Sequence, residues 1–313
     1  MRKLNFLFCV ILTFSLVACA TIPKGFTALQ EDDFSLLPSG GKLYLWADVQ
    51  EARPILDGIS FDGVSLLSAE RVLDRSETAV GVFNTRESGD PFFLTLRGNY
   101  PTFGAGFSMT FSRAWRRQRS VMGNPYWYSS PFGIGLAMDS TLALVSDGDP
   151  FLSVPAEGAQ VRLPGGFNEF RDGSIIAGWI SEPTETVNQF LTVLGIPLQI
   201  PTEDFFFSVF PLRQLQSGEA QLEEEKWELA FHIRTPSVII ARGVLALFDI
   251  ARLFIMNQDD RIDAERVVIT DFLPVLFANR PQQEGDVLTL RSAVLDTLEL
   301  SLLFEAFSVY SSQ

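Results

Sequence analysis

The chain contains very few of the residues on which common active sites and metal sites depend. It has two cysteines and one histidine among 313 residues. No Gly-x-Ser-x-Gly, His-Glu-x-x-His, phosphate-loop or Cys-x-x-Cys motif occurs in it. An ordinary zinc site draws its ligands from clustered histidines and cysteines, and the usual catalytic motifs depend on the spacings that are missing. We therefore expect no cofactor, no metal and no recognisable catalytic centre.

The chain also lacks, near its N-terminus, an apolar run long enough to cross a membrane. The run from Phe6 to Leu16 has about 11 residues, whereas a spanning helix needs about 20. A short basic start, Met1-Arg2-Lys3, precedes the run, and small residues close it. Such a layout is typical of an export signal, so we expect residues 1–18 to be a signal peptide.

The residues that close the run, Leu16-Val17-Ala18-Cys19, resemble the lipobox of bacterial lipoproteins. The resemblance covers only the first twenty residues or so. It implies that the signal is cut before Cys19, and that this residue carries fatty chains such as palmitate and anchors the protein to a membrane. The alternative is an ordinary secretory signal, cut after Ala18 or Ala20, with Cys19 incidental. The resemblance also favours the outer membrane of a bacterial envelope, because Ala20 stands where aspartate would favour the inner membrane.

Acidic residues outnumber basic ones, which narrows the choice of partners. The chain has 38 Asp and Glu against 24 Lys and Arg, a net charge of −14. Such a protein is repelled by phosphate backbones, so we expect no nucleic-acid partner. Phenylalanine, in contrast, is abundant: 28 residues against five tyrosines. Because phenylalanine buries area without a polar tip, this bias favours a large core or an apolar cavity.

One order of elements occurs twice along the chain, which predicts a tandem duplication of a strand-helix-strand-strand-helix unit. Residues 19–41 follow the signal as a lipidated cysteine and tether, residues 42–165 form the first repeat, and residues 166–313 form the second. Alternating apolar residues predict the strands, and apolar residues at i, i+3, i+4 and i+7 predict the helices. The fold class is α+β, with mainly antiparallel sheets and helices on one face. The first repeat has strands at 43–49, 79–83 and 92–97, with helices near 54–58 and from 101 towards 115; the second has strands at 174–180, 205–210 and 227–234, with helices at 182–194 and 237–254.

Three further segments have less regular patterns. A hairpin is expected at 133–144, and strands are favoured at 287–304, although Leu295, Leu298 and Leu302 also fit one helix face. The helix at 237–254 is apolar enough to suggest a membrane span. Its three charged residues, Arg242, Asp249 and Arg252, are spaced to form one polar stripe, so we expect a deeply packed core helix instead.

An arginine cluster is the most unusual local feature of this acidic chain. Its members and a neighbouring tryptophan fall within seven positions: Arg113, Trp115, Arg116, Arg117 and Arg119. Guanidinium groups bind phosphate and carboxylate groups, and tryptophan often lies at a lipid interface. These residues are our candidates for contact with a partner or a lipid headgroup. The alternative is the solvated end of a helix whose basic residues offset its negative pole.

Two other features are weaker candidates for chemistry. His232 alternates onto the same strand face as Glu228 and Arg234, which predicts a solvated surface residue. The segment from Asp259 to Glu265 contains four acidic residues, but it lacks the turn glycine and distal glutamate of a calcium loop. A solvated loop is the expected interpretation of that segment.

These observations favour a lipid-anchored protein of the cell envelope whose folded part binds a partner protein or has a structural role, rather than an enzyme. Two other functions stay open. A carrier of an apolar ligand, such as a lipid, would account for the excess of phenylalanine and for arginines near a headgroup. A hydrolase with an unfamiliar site would need serine or aspartate residues gathered in a cleft beside His232.

Overall fold

A computed structural model describes residue 22 and residues 33–58, 72–83, 92–156, 159–193, 199–212, 225–255 and 272–311. By their internal contacts, the residues divide into two compact units, one of residues 1–50 and 61–163 and one of residues 51–60 and 164–313. Both units combine helices with antiparallel strands, as an α+β fold requires.

The described residues form thirteen strands and seven α-helices. The strands are β1 Leu43–Asp48, β2 Ser76–Phe83, β3 Phe92–Gly98, β4 Trp115–Arg119, β5 Pro125–Ser129, β6 Ile134–Met138, β7 Leu142–Ser146, β8 Ile176–Ile180, β9 Asp204–Pro211, β10 Lys226–Arg234, β11 Gln282–Glu284, β12 Val287–Arg291 and β13 Leu295–Asp296. The helices are α1 Arg53–Gly58, α2 Thr102–Phe111, α3 Phe167–Arg171, α4 Pro183–Val193, α5 Val238–Ile255, α6 Leu273–Leu276 and α7 Thr297–Ser311. A short 3-10 helix, Asp33–Leu36, precedes β1.

The first unit is built on strands in the order β1-β2-β3-β7-β6-β5-β4, and every pair is antiparallel. Helix α2 covers one face, where its Ala105 and Met109 pack on a cluster that includes Leu96, Leu136 and Met138. At the start of β1, the hydroxyl of Tyr44 donates to the carbonyl of Pro38, in the segment that precedes the strand, at 2.9 Å. Strand β4 is the outermost of this order.

The second unit has strands in the order β11-β12-β10-β9-β8, and the short β13 also pairs with β10. Helix α1 belongs to this unit and packs against α7. The expected placement of helices on one face needs a correction here. The ring of Phe170 in α3 contacts His232, whereas the indole of Trp227 donates to Thr297 in α7 at 3.1 Å. Because His232 and Trp227 project from opposite faces of β10, helices cover both faces.

The C-terminal segment differs most from its prediction. Strands were favoured through residue 304, but the chain forms α7 from Thr297 onward. The amide of Glu299 donates to the Asp296 carboxylate at 2.8 Å, and the Glu299 carboxylate accepts from the Asp296 amide at 3.0 Å. This reciprocal capping starts a helix. Leu300 and Leu303 are then buried on one side of it.

Candidate functional site

The predicted lipidation residue, Cys19, lies outside the described residues, but the chain is described three positions later. The side chain of Ile22 is buried, and its backbone amide donates to the carbonyl of Met138 at 3.3 Å. Met138 is the last residue of β6. The segment that follows the candidate anchor therefore contacts the first unit at this end of its strands.

The arginine cluster forms an edge strand, not the end of a helix. Helix α2 ends at Phe111, and the predicted continuation towards Trp115 is wrong because Trp115 begins β4. Alternation along the strand sends Arg117 and Arg119 to one face and Arg116 to the other. Among the described residues, no carboxylate forms an ion pair with any of the four arginines. Charged side chains at a sheet edge also discourage pairing with other strands.

Trp115 is separated from the arginines by its packing. Its ring is half-buried against the cluster of Leu136, Met138 and α2 residues. Large exposed side chains lie on both sides of the arginines along the chain: Phe111, with 73% of its surface accessible, at the end of α2, and Val121 and Met122, with 83% and 65%. Val121 and Met122 lie in the turn that joins β4 to β5. The expected contact through Trp115 is thus replaced by other exposed apolar side chains.

The β4–β5 turn holds these two side chains out in a defined conformation. The amide of Ser120 donates to the carbonyl of Asn124 at 2.8 Å, and the amide of Gly123 donates back to Ser120 at 2.8 Å. The Ser120 hydroxyl accepts from the amide of Met122 at 3.2 Å. Gly123 has a φ of 84°, which favours glycine. We call residues 120–124 the hairpin tip.

A signal in the sequence marks this region, although the arginine spacing alone does not show its extent. Residues 91–138 contain no aspartate or glutamate, in a chain with 38 of them. The same interval contains five arginines: Arg97, Arg113, Arg116, Arg117 and Arg119. The strands β3 to β6 and helix α2 therefore carry only positive formal charge, although the chain as a whole is acidic.

His232 is half-buried, contrary to its prediction as a solvated surface residue. The ring of Phe170 packs edge-on against the imidazole with centroids 4.1 Å apart, and the Thr289 hydroxyl lies 3.4 Å from Nδ1. Burial, together with the positive charge of Arg291, lowers the pKa of His232 to about 4. The imidazole is therefore neutral near pH 7, and aromatic packing is its main environment.

The pH dependence of stability provides a test of this environment. The folded state keeps His232 neutral, whereas the unfolded chain protonates it below a pKa of 6.5. Its contribution to stability is therefore complete above about pH 6.5 and is lost as the pH falls towards 4. We expect the Cε1–H resonance of this one histidine to titrate near pH 4 by NMR, and His232→Gln to lose less stability than wild type between pH 6.5 and 4. A titration midpoint near pH 6.5 would contradict this prediction.

No metal site or spanning helix occurs among the described residues. No group of three or more His, Cys, Asp or Glu side chains there could hold a metal ion. The segment from Asp259 to Glu265 lies outside them. Within the described ranges, no helix is both long and apolar enough to cross a membrane. An open polar depression of about 380 Å³ is lined by Glu228, Asn279, Arg280, Gln282, Thr289 and Arg291.

Helix α5 exposes an apolar surface that its sequence does not predict. Arg252 points back into the second unit, where Nε donates to the carbonyl of Phe277 at 2.9 Å, and Asp249 pairs with Arg280 at 2.7 Å. The polar stripe therefore bonds to the rest of the second unit through Asp249 and Arg252, and the predicted deep packing of the whole helix is wrong. The outward surface of α5 is mainly aliphatic, and 80% of Ile239 and 65% of Leu253 are accessible. We call this surface, formed by Ile239, Gly243, Ala246, Leu247, Ile250 and Leu253, the α5 outer face.

Comparisons with known proteins identify the fold. No protein-family model matches the sequence, and no curated protein matches it. The structure is similar to three crystal forms of TP0453. The match to form III has 17% identity and a TM-score of 0.54 and covers 91% of this chain and 99% of that chain. Form I gives 17%, 0.53, 91% and 98%, and form IV gives 16%, 0.56, 92% and 100%. At this identity the likeness shows the fold alone.

Proposed function

We propose that this chain, which shares the fold of TP0453, is a lipid-anchored protein of a bacterial cell envelope whose folded part binds a partner protein. The lipobox-like residues that end in Cys19 support the anchor. Ala20 stands at the position where aspartate would favour the inner membrane, and this supports the outer membrane. The neutral, aromatic-packed His232 and the scarcity of catalytic motifs favour binding over catalysis.

The α5 outer face is the observation on which the binding role depends. Soluble proteins rarely expose contiguous aliphatic surface of this kind unless it contacts something. Arg242 and the Asp249–Arg280 ion pair border the apolar surface. An apolar centre with a charged rim is typical of a protein–protein interface. Small side chains at Gly243 and Ala246 would also allow a partner to approach closely.

Site-specific photo-crosslinking in intact cells tests this role. A photoreactive residue at position 250 or 253 should give a discrete protein adduct. The matched control is position 298, whose leucine is 67% exposed on α7. Leu253→Glu should abolish the adduct formed at position 250 while it changes the free energy of unfolding by only about 0.5 kcal/mol, because exposed positions tolerate substitution. Equal adducts from position 298, or none from 250 and 253, would contradict the proposal.

The tandem duplication is a second part of this proposal, and the strand connections support it. The order β1-α1-β2-β3-α2 matches the order β8-α4-β9-β10-α5. In each case the third strand also pairs with the second strand of a later hairpin, β7 after β6 and β12 after β11. An alignment of relatives in which the two halves resemble each other more than chance would test a common origin.

A further inference from the structure

We propose that the hairpin tip is a second membrane contact, seated in anionic lipid headgroups beside the acylated Cys19. This inference rests on the proposed lipid anchor and goes beyond it. It assigns a surface of the first unit that faces the bilayer, and it names the chemistry that the surface recognises. Three independent observations support it: the position of the tip, its side chains and its charge.

The hairpin tip and the anchor emerge at the same end of the strands. Arg119 pairs with Pro125 across the hairpin. Trp127 pairs with Leu136, so the same antiparallel register brings Pro125 level with Met138. The amide of Ile22 bonds to Met138. Neighbouring strands are about 4.8 Å apart, which puts the Ile22 contact about 10 Å from Arg119 across β5.

The chain between the anchor and this contact is short. Cys19 precedes Ile22 by three residues, and an extended chain spans at most about 3.5 Å per residue. The acylated sulfur is therefore held within roughly 10 to 15 Å of the end of β6. A bilayer that receives the fatty chains must lie against this end of the first unit. The hairpin tip is exposed at that same end.

The side chains of the hairpin tip are suited to the boundary between headgroups and acyl chains. Val121 and Met122 are the outermost residues of the turn, and most of the surface of each side chain is accessible to solvent. Arg119 lies directly behind them, followed along the strand by Arg117 and Arg116. Aliphatic tips that enter the acyl boundary, with cationic groups at the level of the phosphates, are typical of interfacial anchoring.

Charge complementarity selects an anionic membrane as the occupant. The whole chain has a net charge of −14, which opposes its approach to an anionic surface. The interval 91–138 has five arginines and no acidic residue, and the acidic residue that follows it, Asp139, accepts hydrogen bonds from the amides of Thr141 and Leu142 within its own turn. Arg119 is the arginine next to the tip, within about one Debye length, 8 Å, of a membrane that touches the tip, and Arg117 and Arg116 follow about 7 and 10 Å further along β4. The protein should therefore turn the hairpin tip and β4 towards anionic lipid.

Fluorescence of the intact lipoprotein in vesicles tests the inference. Met122→Cys is labelled with a polarity-sensitive dye after purification with its native N-terminus. Vesicles of phosphatidylcholine alone are compared with vesicles that also contain phosphatidylglycerol. The control is Leu152→Cys, which is 56% exposed and follows β7 at the opposite end of the strands. We expect a blue shift and quenching by brominated lipid at position 122, only with phosphatidylglycerol, and neither change at position 152.

An arginine variant and a thiol count separate the possible failures. Replacing Arg116, Arg117 and Arg119 together by glutamine should weaken the binding of anionic headgroups at the hairpin tip by at least about fivefold and at most about 100-fold, since each arginine near an anionic surface contributes about a factor of five and Arg119 is the nearest. An acylated Cys19 leaves one reactive thiol per chain in Met122→Cys. If the vesicles retain the protein and one dye binds per chain, but position 122 shows no shift, the hairpin contact is overturned and the anchor stands. If the mature chain has two reactive thiols and does not float with the vesicles, both the hairpin contact and the lipid anchor are overturned.

Discussion

Cys19→Ser should release the protein from membranes almost completely. Each buried methylene of a fatty chain contributes about 0.8 kcal/mol, so two or three chains hold a protein firmly where one exchanges. The variant loses every chain at once, because the thiol is the site at which acylation begins in the lipobox interpretation. The expected results are loss of incorporated labelled palmitate, loss of the acyl mass at the N-terminus, and recovery of the protein outside the membrane pellet.

Cys9→Ser is the matched control for this change. Both substitutions replace one sulfur by oxygen, but Cys9 lies within the predicted signal peptide and leaves with it. The control should therefore keep its label and its membrane fraction. A Cys19→Ser protein that still carries palmitate and still sediments with membranes would exclude this anchor. So would a wild-type protein whose mature N-terminus is another residue without acyl groups.

Gly135→Ala should be among the most destabilising single-methyl changes in the first unit. A Cβ atom at this position of β6 would lie 1.7 Å from the backbone oxygen of Gly148, and 3.0 Å from the ring of Pro150. A backbone atom cannot move aside as a flexible side chain can, so the loop must shift. We expect the free energy of unfolding to fall by about 3 kcal/mol. Denaturant titration of the two proteins measures the difference.

Gly104→Ala is the control for that substitution. It adds the same methyl group in the interior of α2, where no atom lies within 4 Å of the added Cβ. Alanine is the better helix former by about 0.5 to 1 kcal/mol, so this variant should be slightly more stable than wild type. If Gly135→Ala lowered the free energy of unfolding no more than Gly104→Ala does, the close approach of Gly135 to Gly148 would not occur.

Alternation of apolar side chains predicts several strands well. The strands expected at 43–49, 92–97 and 227–234 correspond to β1, β3 and β10 within one or two residues. Their buried positions carry large apolar side chains, and β3 and β10 also pair with neighbours on both sides, which leaves little choice of register. The helices α4 and α5 likewise begin and end within one residue of their predicted limits.

Segments whose structure depends on distant partners could not be predicted in this way. Strand β4 has three arginines in five residues and no apolar alternation; only its pairing with β5 makes it a strand. His232 is covered by Phe170 of α3, a five-residue helix too short to produce a periodic signal. Arg252 bonds to carbonyls 25 and 26 residues away, so its spacing on the helix says nothing about its direction.

The reciprocal bonds between Asp296 and Glu299 show a local signal that was present but outweighed. Aspartate followed three residues later by glutamate is a helix-start pattern. Apolar residues that alternate at Leu298, Leu300, Leu302 and Phe304 favoured a strand over the same residues. A leucine-rich run satisfies both periods, so the capping residues are the better guide in such a segment.

The early contact of Ile22 with β6 has a mechanical consequence. A flexible tether of some 20 residues would let the folded part move about 25 Å from its anchor and turn any of its sides towards the lipid. In the lipobox interpretation, the hydrogen bond of Ile22 to Met138 shortens the free length to the few residues between Cys19 and Ile22. The first unit would then keep this end of its strands within about 15 Å of the acylated residue. The turn that contains Leu152, at the opposite end of the same strands, would face away from the bilayer.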